Sequence, residues 1–577
     1  MSDKNTTSPS ISDVDVSPAD LEGPKVDRRT AVKVFGAAGM GALAGCSGGG
    51  GGDGSGDDGS DDDGSDDDGS GDDGSGDDGS DRYGGRLKAA WWTGDISNLD
   101  PAYISTGIYF QLSVNIFNGL VMANENLEIV PDLATDWTVE DDGTRMVFDL
   151  RDDVSFHNGD HFTAEDVKYT IERNIEREAP HNLENELIAV EDGAVEVVDD
   201  YTVALNWEAP LASALALLTA GPGRAATIVN RTAFEEMGAE EYNLEPVGTG
   251  PFQVESHDTG SEIILDGFDD YFREDEDGNS LPYLDGVDVS LIPEPGTVVN
   301  TLQSGDIQFT NLLPLGNINE VEDSPDAGVS STIGNTWAGV IFNHAREPFD
   351  AVETRLGIAK AIDNEAFVES AYFNYGVANP GVFSPSPEWI WREPDEKPDD
   401  QAYAPEEAQE LLEEGGAMDT TISILANPEN LRASRVLNQQ LNAVGLDSEV
   451  DQVTSATFWE RFDFDGDFDI LLSGSVDKPD PEESIWNFFR LPDEDGVWNW
   501  AQYRNQEVHD LLGEQRRQID QEERRETLWE IEDILIREAA SGFIGHQEDV
   551  CGIRDEVKGF VHIPAFVRKF EPVWLDE

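Results

Sequence analysis

Apolar residues recur along the chain with two periods, one of two residues and one between three and four. The stretches 147–150 and 202–207 alternate apolar and polar side chains, as strands with one buried face do. Val167, Ile171 and Ile175 recur at helical spacing after a Thr-x-x-Asp pattern that resembles a capping box. Further helical stripes are found at 352–366, 405–412 and 528–535. Because strands and helices alternate, an α/β class is predicted, and the absence of a visible 20–50-residue repeat in the body argues against a solenoid or propeller.

Residues 1–46 have the layout of an export signal. Arg28 and Arg29 open a positive patch, a weakly apolar run follows at 34–43, and small residues precede Cys46. A twin arginine before a short apolar run is typical of a twin-arginine export signal. The run is shorter than the roughly 20 apolar residues that span a bilayer. The small residues before Cys46 resemble a lipobox, where a lipoprotein precursor is cleaved and the new N-terminal Cys is lipidated. The alternative is a chance pair of arginines in a disordered tail.

Residues 47–85 predict a disordered tether. They are built from Gly, Ser and Asp repeats and hold fourteen Asp and one Arg. Such chains are flexible, and their like charges extend them. Calcium binding is the alternative, but the EF-hand spacing and its terminal Glu are missing. A tether placed after a lipidated Cys46 would hold the body away from the outer face of the cell membrane.

The acidic charge belongs mainly to the body. The formal net charge is −85, and −71 of it falls on residues 86–577. This charge excludes sequence-independent nucleic-acid binding and argues against an anionic membrane surface as a partner. A folded surface of this kind repels itself unless salt is concentrated, since the Debye length is about 3 Å at 1 M. We therefore expect a very salty habitat and an origin in a halophilic archaeon; an acidic protein of ordinary habitat is the alternative.

Cysteine and histidine offer no metal or cofactor site. The chain has 2 Cys, too few for a disulfide framework, and Cys551 is expected to be a buried small hydrophobe. His157 and His161 lie four apart, but the intervening Asn-Gly favours a turn over the helix that would align them. Both histidines are therefore expected to have hydrogen-bonded structural roles.

Several short motifs occur in order across the body. They are Pro131 to Trp137, Asp142-Gly143, Phe148 to Arg151, Val154 to Gly159, Phe162 to Val167, Gly248 to Phe252, Leu302 to Asp306, Phe342-Asn343, Pro348 to Asp350, Ala361 to Asp363 and Asp520 with Glu523-Arg524. Together they resemble the family 5 extracellular solute-binding proteins, the dipeptide, oligopeptide and nickel receptors of ABC importers. The resemblance covers essentially all of 86–577.

The resemblance implies a bilobal, periplasmic-binding-protein-like (type II) α/β fold with an extra subdomain in the first lobe. In that family the ligand is enclosed as two lobes close about hinge strands. The implied limits are lobe I at 86–130, 236–315 and 546–577, the extra subdomain at 131–235, and lobe II at 316–545.

The resemblance also implies a ligand contact at Asp477. Peptide-binding relatives hold the ligand's α-ammonium with an Asp that is followed by an acidic-Pro pair, and Asp477-Lys-Pro-Asp480-Pro481 has that form. A solvated Asp in a Pro-rich turn is the alternative. Gly474 and Ser475 would offer backbone groups to an extended peptide.

Three aromatic residues and Asn343 are weaker candidates for contacts in the cleft. By position in the family, Trp337 and Asn343 in the second lobe and Tyr109 and Phe110 in the first could line the cleft, although core packing is an equal alternative for each. Arg346 and Arg392 are candidates to pair with a ligand carboxylate.

The function implied is that of a monomeric receptor, tethered to the membrane, that delivers short peptides to an ABC permease and ATPase complex. The same role for an oligosaccharide or a nickel chelate is the first alternative. A secreted acidic hydrolase is disfavoured, because the body has no Gly-x-Ser-x-Gly elbow and no His-Glu-x-x-His helix. We expect no enzymatic activity, no cofactor and no metal.

Overall fold

The computed structural model describes residues 82–104, 106–177, 186–221, 223, 225–475, 478–492 and 498–576. Arg28 and Arg29 of the predicted export signal, the lipidation candidate Cys46 and most of the 47–85 tether lie outside the described residues. Within the described part, no helix combines the length and the apolar character needed to cross a bilayer.

The strands, in chain order, are β1 Arg86–Trp91, β2 Val121–Ala123, β3 Ile129–Pro131, β4 Ala134–Glu140, β5 Arg145–Leu150, β6 Val195–Asp199, β7 Thr202–Asn206, β8 Phe252–Asp258, β9 Glu262–Gly267, β10 Gly286–Leu291, β11 Phe309–Thr310, β12 Ala327–Ile333, β13 Ala338–Phe342, β14 Gly376–Ala378, β15 Ile422–Ala426, β16 Ser448–Gln452, β17 Ile470–Gly474, β18 Gly542–Arg554, β19 Val557–Lys558 and β20 Trp574–Leu575.

The α-helices are α1 Gly107–Ser113, α2 Ala164–Glu176, α3 Ala214–Leu217, α4 Arg231–Met237, α5 Ala239–Tyr242, α6 Pro295–Ser304, α7 Ile318–Glu322, α8 Val352–Lys360, α9 Asn364–Tyr372, α10 Pro405–Glu414, α11 Leu431–Ala443, α12 Ser455–Trp459, α13 Trp486–Phe489, α14 Gln506–Gln515 and α15 Gln521–Arg537. A π-helical turn lies at Glu460–Asp465. Short 3₁₀ turns lie at Asp141–Gly143, Val190–Asp192, Leu315–Asn317, Glu388–Ile390, Pro394–Glu396 and Pro481–Ser484.

One large mixed sheet runs through the molecule. Its strands follow the order β16-β15-β17-β13-β18-β11-β1-β10-β9-β8, and β12 and β14 also pair with β18. We call the part around β1 and β8–β11 the first lobe, and the part around β13 and β15–β17 the second lobe. Strand β18 belongs to both, because its start pairs with β13 and its end with β11. The two half-sheets therefore meet on a single strand.

A separate four-stranded antiparallel sheet has its own core. Its order is β4-β5-β7-β6, and α2 packs on it over a buried aromatic cluster that includes Phe148, Phe156 and Phe162. Leu187 and Leu211 share the same core. We call this unit, from its strands to α3, the small-sheet body.

The stretches that the periodicity of the sequence predicts are found as strands or helices. The alternating stretches 147–150 and 202–207 fall in β5 and β7, and α2 begins at a capping box in which the Thr163 N–H donates to Asp166 Oδ2 at 3.0 Å. The stripe at 352–366 differs, because it is divided between α8 and α9. The Asp363 side chain accepts the Ala366 N–H at 3.0 Å and starts a new helix.

His157 has the hydrogen-bonded role that its turn suggests. Its Nε2–H donates to the Gly250 carbonyl at 3.0 Å, and its Nδ1 accepts the Gly248 N–H at 3.3 Å. Desolvation lowers the pKa of His157 to about 4. Cys551 is fully buried on β18, and burial raises the pKa of its thiol to about 12. Neither side chain is poised for chemistry at neutral pH.

Protonation of His157 is expected to destabilise the fold between pH 6.5 and 4. The unfolded chain binds this proton near pH 6.5 and the folded chain only near pH 4, so stability falls as pH decreases through that window by at most about 3 kcal/mol. The melting-temperature advantage of the wild type over His157→Gln should therefore shrink as the pH is lowered from 7 to 4. His161→Gln, which alters an exposed imidazole, is the control. An advantage of constant size would contradict the assignment.

Candidate ligand-binding cleft

Gly474 and Ser475 lie where β17 meets the start of β13. Gly474 pairs with Ala338, the Ser475 N–H donates to the Trp337 carbonyl at 3.0 Å, and the Trp337 N–H donates to Ser475 Oγ at 3.0 Å. A Cβ on Gly474 would lie 1.8 Å from the Trp337 oxygen, so this approach requires glycine. The backbone of both candidates is thus held rigidly on the second lobe.

Residues 478–480, which come shortly after Ser475, are anchored to other parts of the second lobe. Asp477, the leading candidate from the sequence, lies outside the described residues. After it, the Lys478 carbonyl accepts from Asn335 Nδ2 at 3.2 Å, and Asp480 forms a two-pronged ion pair with Arg524 at 2.6 and 2.8 Å. The described residues on either side of Asp477 are therefore fixed to the loop before β13 and to α15.

Trp337 lies in an aromatic core. It is 2% exposed, stacks on Phe489 at 5.6 Å between ring centroids, and meets Phe488 and Phe543 edge-on. Its Nε1–H donates to the Ser484 carbonyl at 2.9 Å. This placement favours the packing alternative for the Trp337 ring.

Asn343 lies at the other end of β13. A five-residue strand spans roughly 17 Å, so Asn343 is not brought together with Gly474 and Ser475. Its Nδ2 donates to the carbonyls of Gly466 and Phe468, both at 3.0 Å. It borders a separate cavity of about 500 Å³ together with Arg346. The separation argues against Asn343 as a contact of the same ligand.

Tyr109 and Phe110 lie on α1 of the first lobe. Phe110 is buried and Tyr109 is half-buried, with Tyr109 packed against the core of that lobe. The ring of Tyr109 keeps some exposed surface, whereas the position of Phe110 favours a packing role.

Polar residues that sequence reasoning missed lie beside α1. Parallel strands β1 and β11 end together, and their carboxyl ends are where ligands bind in open α/β sheets. Here Asn311 Nδ2 donates to Gln111 Oε1 at 2.6 Å, and its Oδ1 accepts the Trp92 N–H at 2.8 Å. The fully buried Arg568 donates to the Asn311 carbonyl and, at 2.5 Å, to Asp549 Oδ2. No local pattern in the sequence connects residues that lie so far apart.

The two arginine candidates are already paired with carboxylates. Arg346 contacts Asp467 and Asp469 at 3.2 and 3.0 Å. Arg392 contacts Glu532 and Asp533 at 2.6 and 2.8 Å. Neither position favours a role in binding a ligand carboxylate.

A chain of buried polar contacts crosses the second lobe. Lys397 Nζ lies 3.3 Å from Glu532 Oε1 and donates to Asn379 Oδ1 at 2.8 Å, while Asn379 Nδ2 lies 2.6 Å from His546 Nε2. Desolvation lowers the pKa of Lys397, and it lowers the pKa of His546 to about 3. His546 Nδ1 in turn contacts the carbonyl of Thr336. The chain thus connects α15 to β18 and to the loop that carries Trp337.

The described residues contain no group of three or more His, Cys, Asp or Glu side chains arranged to hold a metal ion.

Comparison with known proteins identifies the kind of molecule. The family model described as bacterial extracellular solute-binding proteins, family 5 Middle, matches residues 128–495, which is more than half of the chain. Di/tripeptide-binding protein 1 of Pseudomonas aeruginosa is 25% identical over 509 residues, covering 83% of this chain and 92% of that protein. The dipeptide-binding protein of Escherichia coli is 24% identical over 510 residues, covering 84% and 93%.

A solved structure matches the architecture. DppA from Helicobacter pylori, an ABC transporter-associated periplasmic binding protein in complex with the peptide STSA, superposes with a TM-score of 0.70 at 24% identity, covering 86% of this chain and 99% of that one. The predicted α/β, bilobal, type II periplasmic-binding-protein fold is thereby confirmed.

Proposed function

The chain belongs to family 5 of the extracellular solute-binding proteins, and on that premise we propose that it encloses short peptides between its two lobes and delivers them to an ABC permease and ATPase complex. Solute binding without catalysis follows from the family itself. The peptide is supported by relatives named for di- and tripeptides, which this chain matches over more than nine-tenths of their length. We keep the lobe limits predicted above, and a monomer, as part of the proposal.

The acidic residues that follow Asp477 in the sequence have basic partners within the protein. Asp480 and Glu482 are paired with Arg524 and Arg516, and Glu483 Oε1 lies 3.9 Å from Lys478 Nζ. We therefore take Asp477 as our candidate for the ligand's charge. A charge pair enclosed between lobes is stronger than one in water, because fewer water dipoles screen it.

The strand edge at Gly474 suits a peptide backbone. The described ladder between β15 and β17 ends at the pair Leu425 and Leu471, three residues before Gly474. An extended peptide beside Gly474 and Ser475 would add main-chain hydrogen bonds in the manner of an extra strand. This mode recognises the backbone, so it tolerates many side chains.

Asp477→Asn is expected to weaken peptide binding at least tenfold, because an ammonium group loses its charged partner. Thermal shift and calorimetry against dipeptides, longer peptides, oligosaccharides and nickel–histidine should show stabilisation of the wild type by free peptides and not by N-acetylated ones. Asp419→Asn, an exposed carboxylate of the same lobe, is the control.

Equal affinity of Asp477→Asn and the wild type for free peptides would remove Asp477 from the site. Stabilisation by a sugar or a nickel chelate, with none by peptides, would replace the peptide as the solute.

We also infer that the receptor works in concentrated salt and that its source is a halophilic archaeon. Two-thirds or more of its acidic excess lies on the folded body, where the like charges repel. The melting temperature should therefore rise between 0.2 and 3 M KCl, since the Debye length falls from roughly 7 Å to below 3 Å. The E. coli dipeptide-binding protein is the comparison. A melting temperature that falls, or that rises no more than that of the comparison protein, would contradict a salt-adapted surface.

We further propose export through Arg28 and Arg29 and lipid anchoring at Cys46. Cys46→Ser should release the protein into the medium, because no lipid can then be attached. Cys551→Ser replaces the buried cysteine and should leave the protein in the membrane fraction. Retention of Cys46→Ser in that fraction would exclude this anchor.

A further inference from the structure

An ion-pair cluster joins the small-sheet body to the second lobe. Arg516, directly after α14, donates from Nε to Glu482 Oε1 at 2.5 Å and from Nη2 to Glu186 Oε1 at 2.7 Å. Ser213 Oγ donates to the other oxygen of Glu482 at 2.7 Å. Glu186 and Ser213 belong to the small-sheet body, whereas Glu482 and Arg516 belong to the second lobe. We call these four residues the interlobe latch.

The contact around the latch involves backbone and apolar groups too. The Ala212 N–H donates to the Arg516 carbonyl at 2.7 Å. Beside it, Gly143 of the small-sheet body faces Ile519 of the second lobe so closely that a Cβ on Gly143 would lie 3.5 Å from Ile519 Cγ1. The two bodies therefore meet over a defined surface with the ion pairs inside it.

The latch is shielded from water. The Glu482 side chain is 3% exposed, and those of Arg516 and Glu186 are 17% and 21% exposed. The guanidinium of Arg516 also lies over the Trp486 ring, 4.1 Å from its centroid, which fixes its orientation. Burial raises the pKa of Glu186, and the Arg516 charge partly offsets that rise. Opening the lobes would return these charges to water, whereas removing one partner would leave another buried without compensation.

The latch is built on the chain that continues directly from residues 478–480. Asp480 Oδ1 accepts the Glu482 N–H at 2.8 Å at the start of the 3₁₀ turn Pro481–Ser484, and Asp480 itself is held by Arg524. A displacement of Asp480 is therefore transmitted directly to Glu482.

We propose that Glu482 is a positioning residue that couples the segment 478–480 to lobe closure through the interlobe latch. The effect of Glu482 on the peptide is indirect, because Glu482 acts by stabilising the closed state. The peptide part of this inference rests on the proposed function, whereas the closure part does not. A latch that favours the closed state lengthens the residence of an enclosed ligand, because escape requires opening.

The test removes the latch from the small-sheet side. The double variant Glu186→Gln with Ser213→Ala leaves the sequence of the second lobe unchanged. Glu196→Gln is the matched control, because Glu196 pairs with Arg145 at 2.7 Å within the small-sheet body. Ser213→Ala alone is the milder variant if the double variant has a lowered melting temperature.

Closure is measured in the full chain with Cys46→Ser and spin labels at Val198→Cys and Tyr403→Cys, both exposed, while Cys551 is buried. The latch predicts a larger share of long interlobe distances in the double variant than in the wild type or Glu196→Gln. With peptide, stopped-flow kinetics should show dissociation at least tenfold faster and association within about threefold of the wild type.

Unchanged distances and dissociation rates, or an equal effect of Glu196→Gln, would overturn the latch. If no peptide binds the wild type, the proposed function fails while the distance distribution still decides the latch. If peptides bind normally to both variants with equal residence, the latch fails and the proposed function stands.

Discussion

Scarcity of positive charge is the constraint on which the rest of this structure depends. The chain has 121 acidic and 36 basic side chains, so most carboxylates must stay in water. In the described part, every buried acidic residue lies against at least one basic side chain. The pairs are Asp100 with Arg173, Asp132 with Arg273, Glu482 with Arg516 and Arg524, Glu532 with Arg392 and Lys397, and Glu571 with Lys569 and Arg273. The positions of a few basic side chains thus decide which acidic segments can be buried.

Several of these cations lie where parts of the molecule meet. Arg273, between β9 and β10, reaches Asp132 at the entrance to the small-sheet body, and Arg568 connects β18 to the end of β11. Arg516 likewise connects the small-sheet body to the second lobe. Buried ion pairs are weak evidence for net stability, because desolvation offsets much of their attraction. Their geometry does specify which surfaces fit together. In an acidic protein, few incorrectly paired surfaces would place a basic side chain opposite the buried carboxylate.

Local elements were more predictable than the site. Helix α2 and strands β5 and β7 follow from periodicity, because their buried faces repeat over neighbouring residues. The family motif around Phe156 and Phe162 identified the fold, since those residues form the core of the small-sheet body. The polar floor formed by Gln111, Asn311 and Arg568 could not be predicted, because its members are brought together only by the parallel pairing of β1 with β11 and by the return of the chain. Likewise, Trp337 and Asn343 are close in sequence, yet they lie at opposite ends of strand β13.

Strand β18 also sets the order in which the molecule can be completed. It lies between β13 and β11, so without it the large sheet divides into two incomplete halves. Its residues, 542–554, follow every other strand of the large sheet along the chain, and chains generally fold from the N-terminus as they emerge. Neither lobe can therefore finish its sheet until β18 has been synthesised, and both should acquire their final hydrogen bonds together. A nascent chain that has not yet reached residue 542 would leave two unpaired strand edges exposed to aggregation, so the synthesis of β18 is the step that ends this exposure.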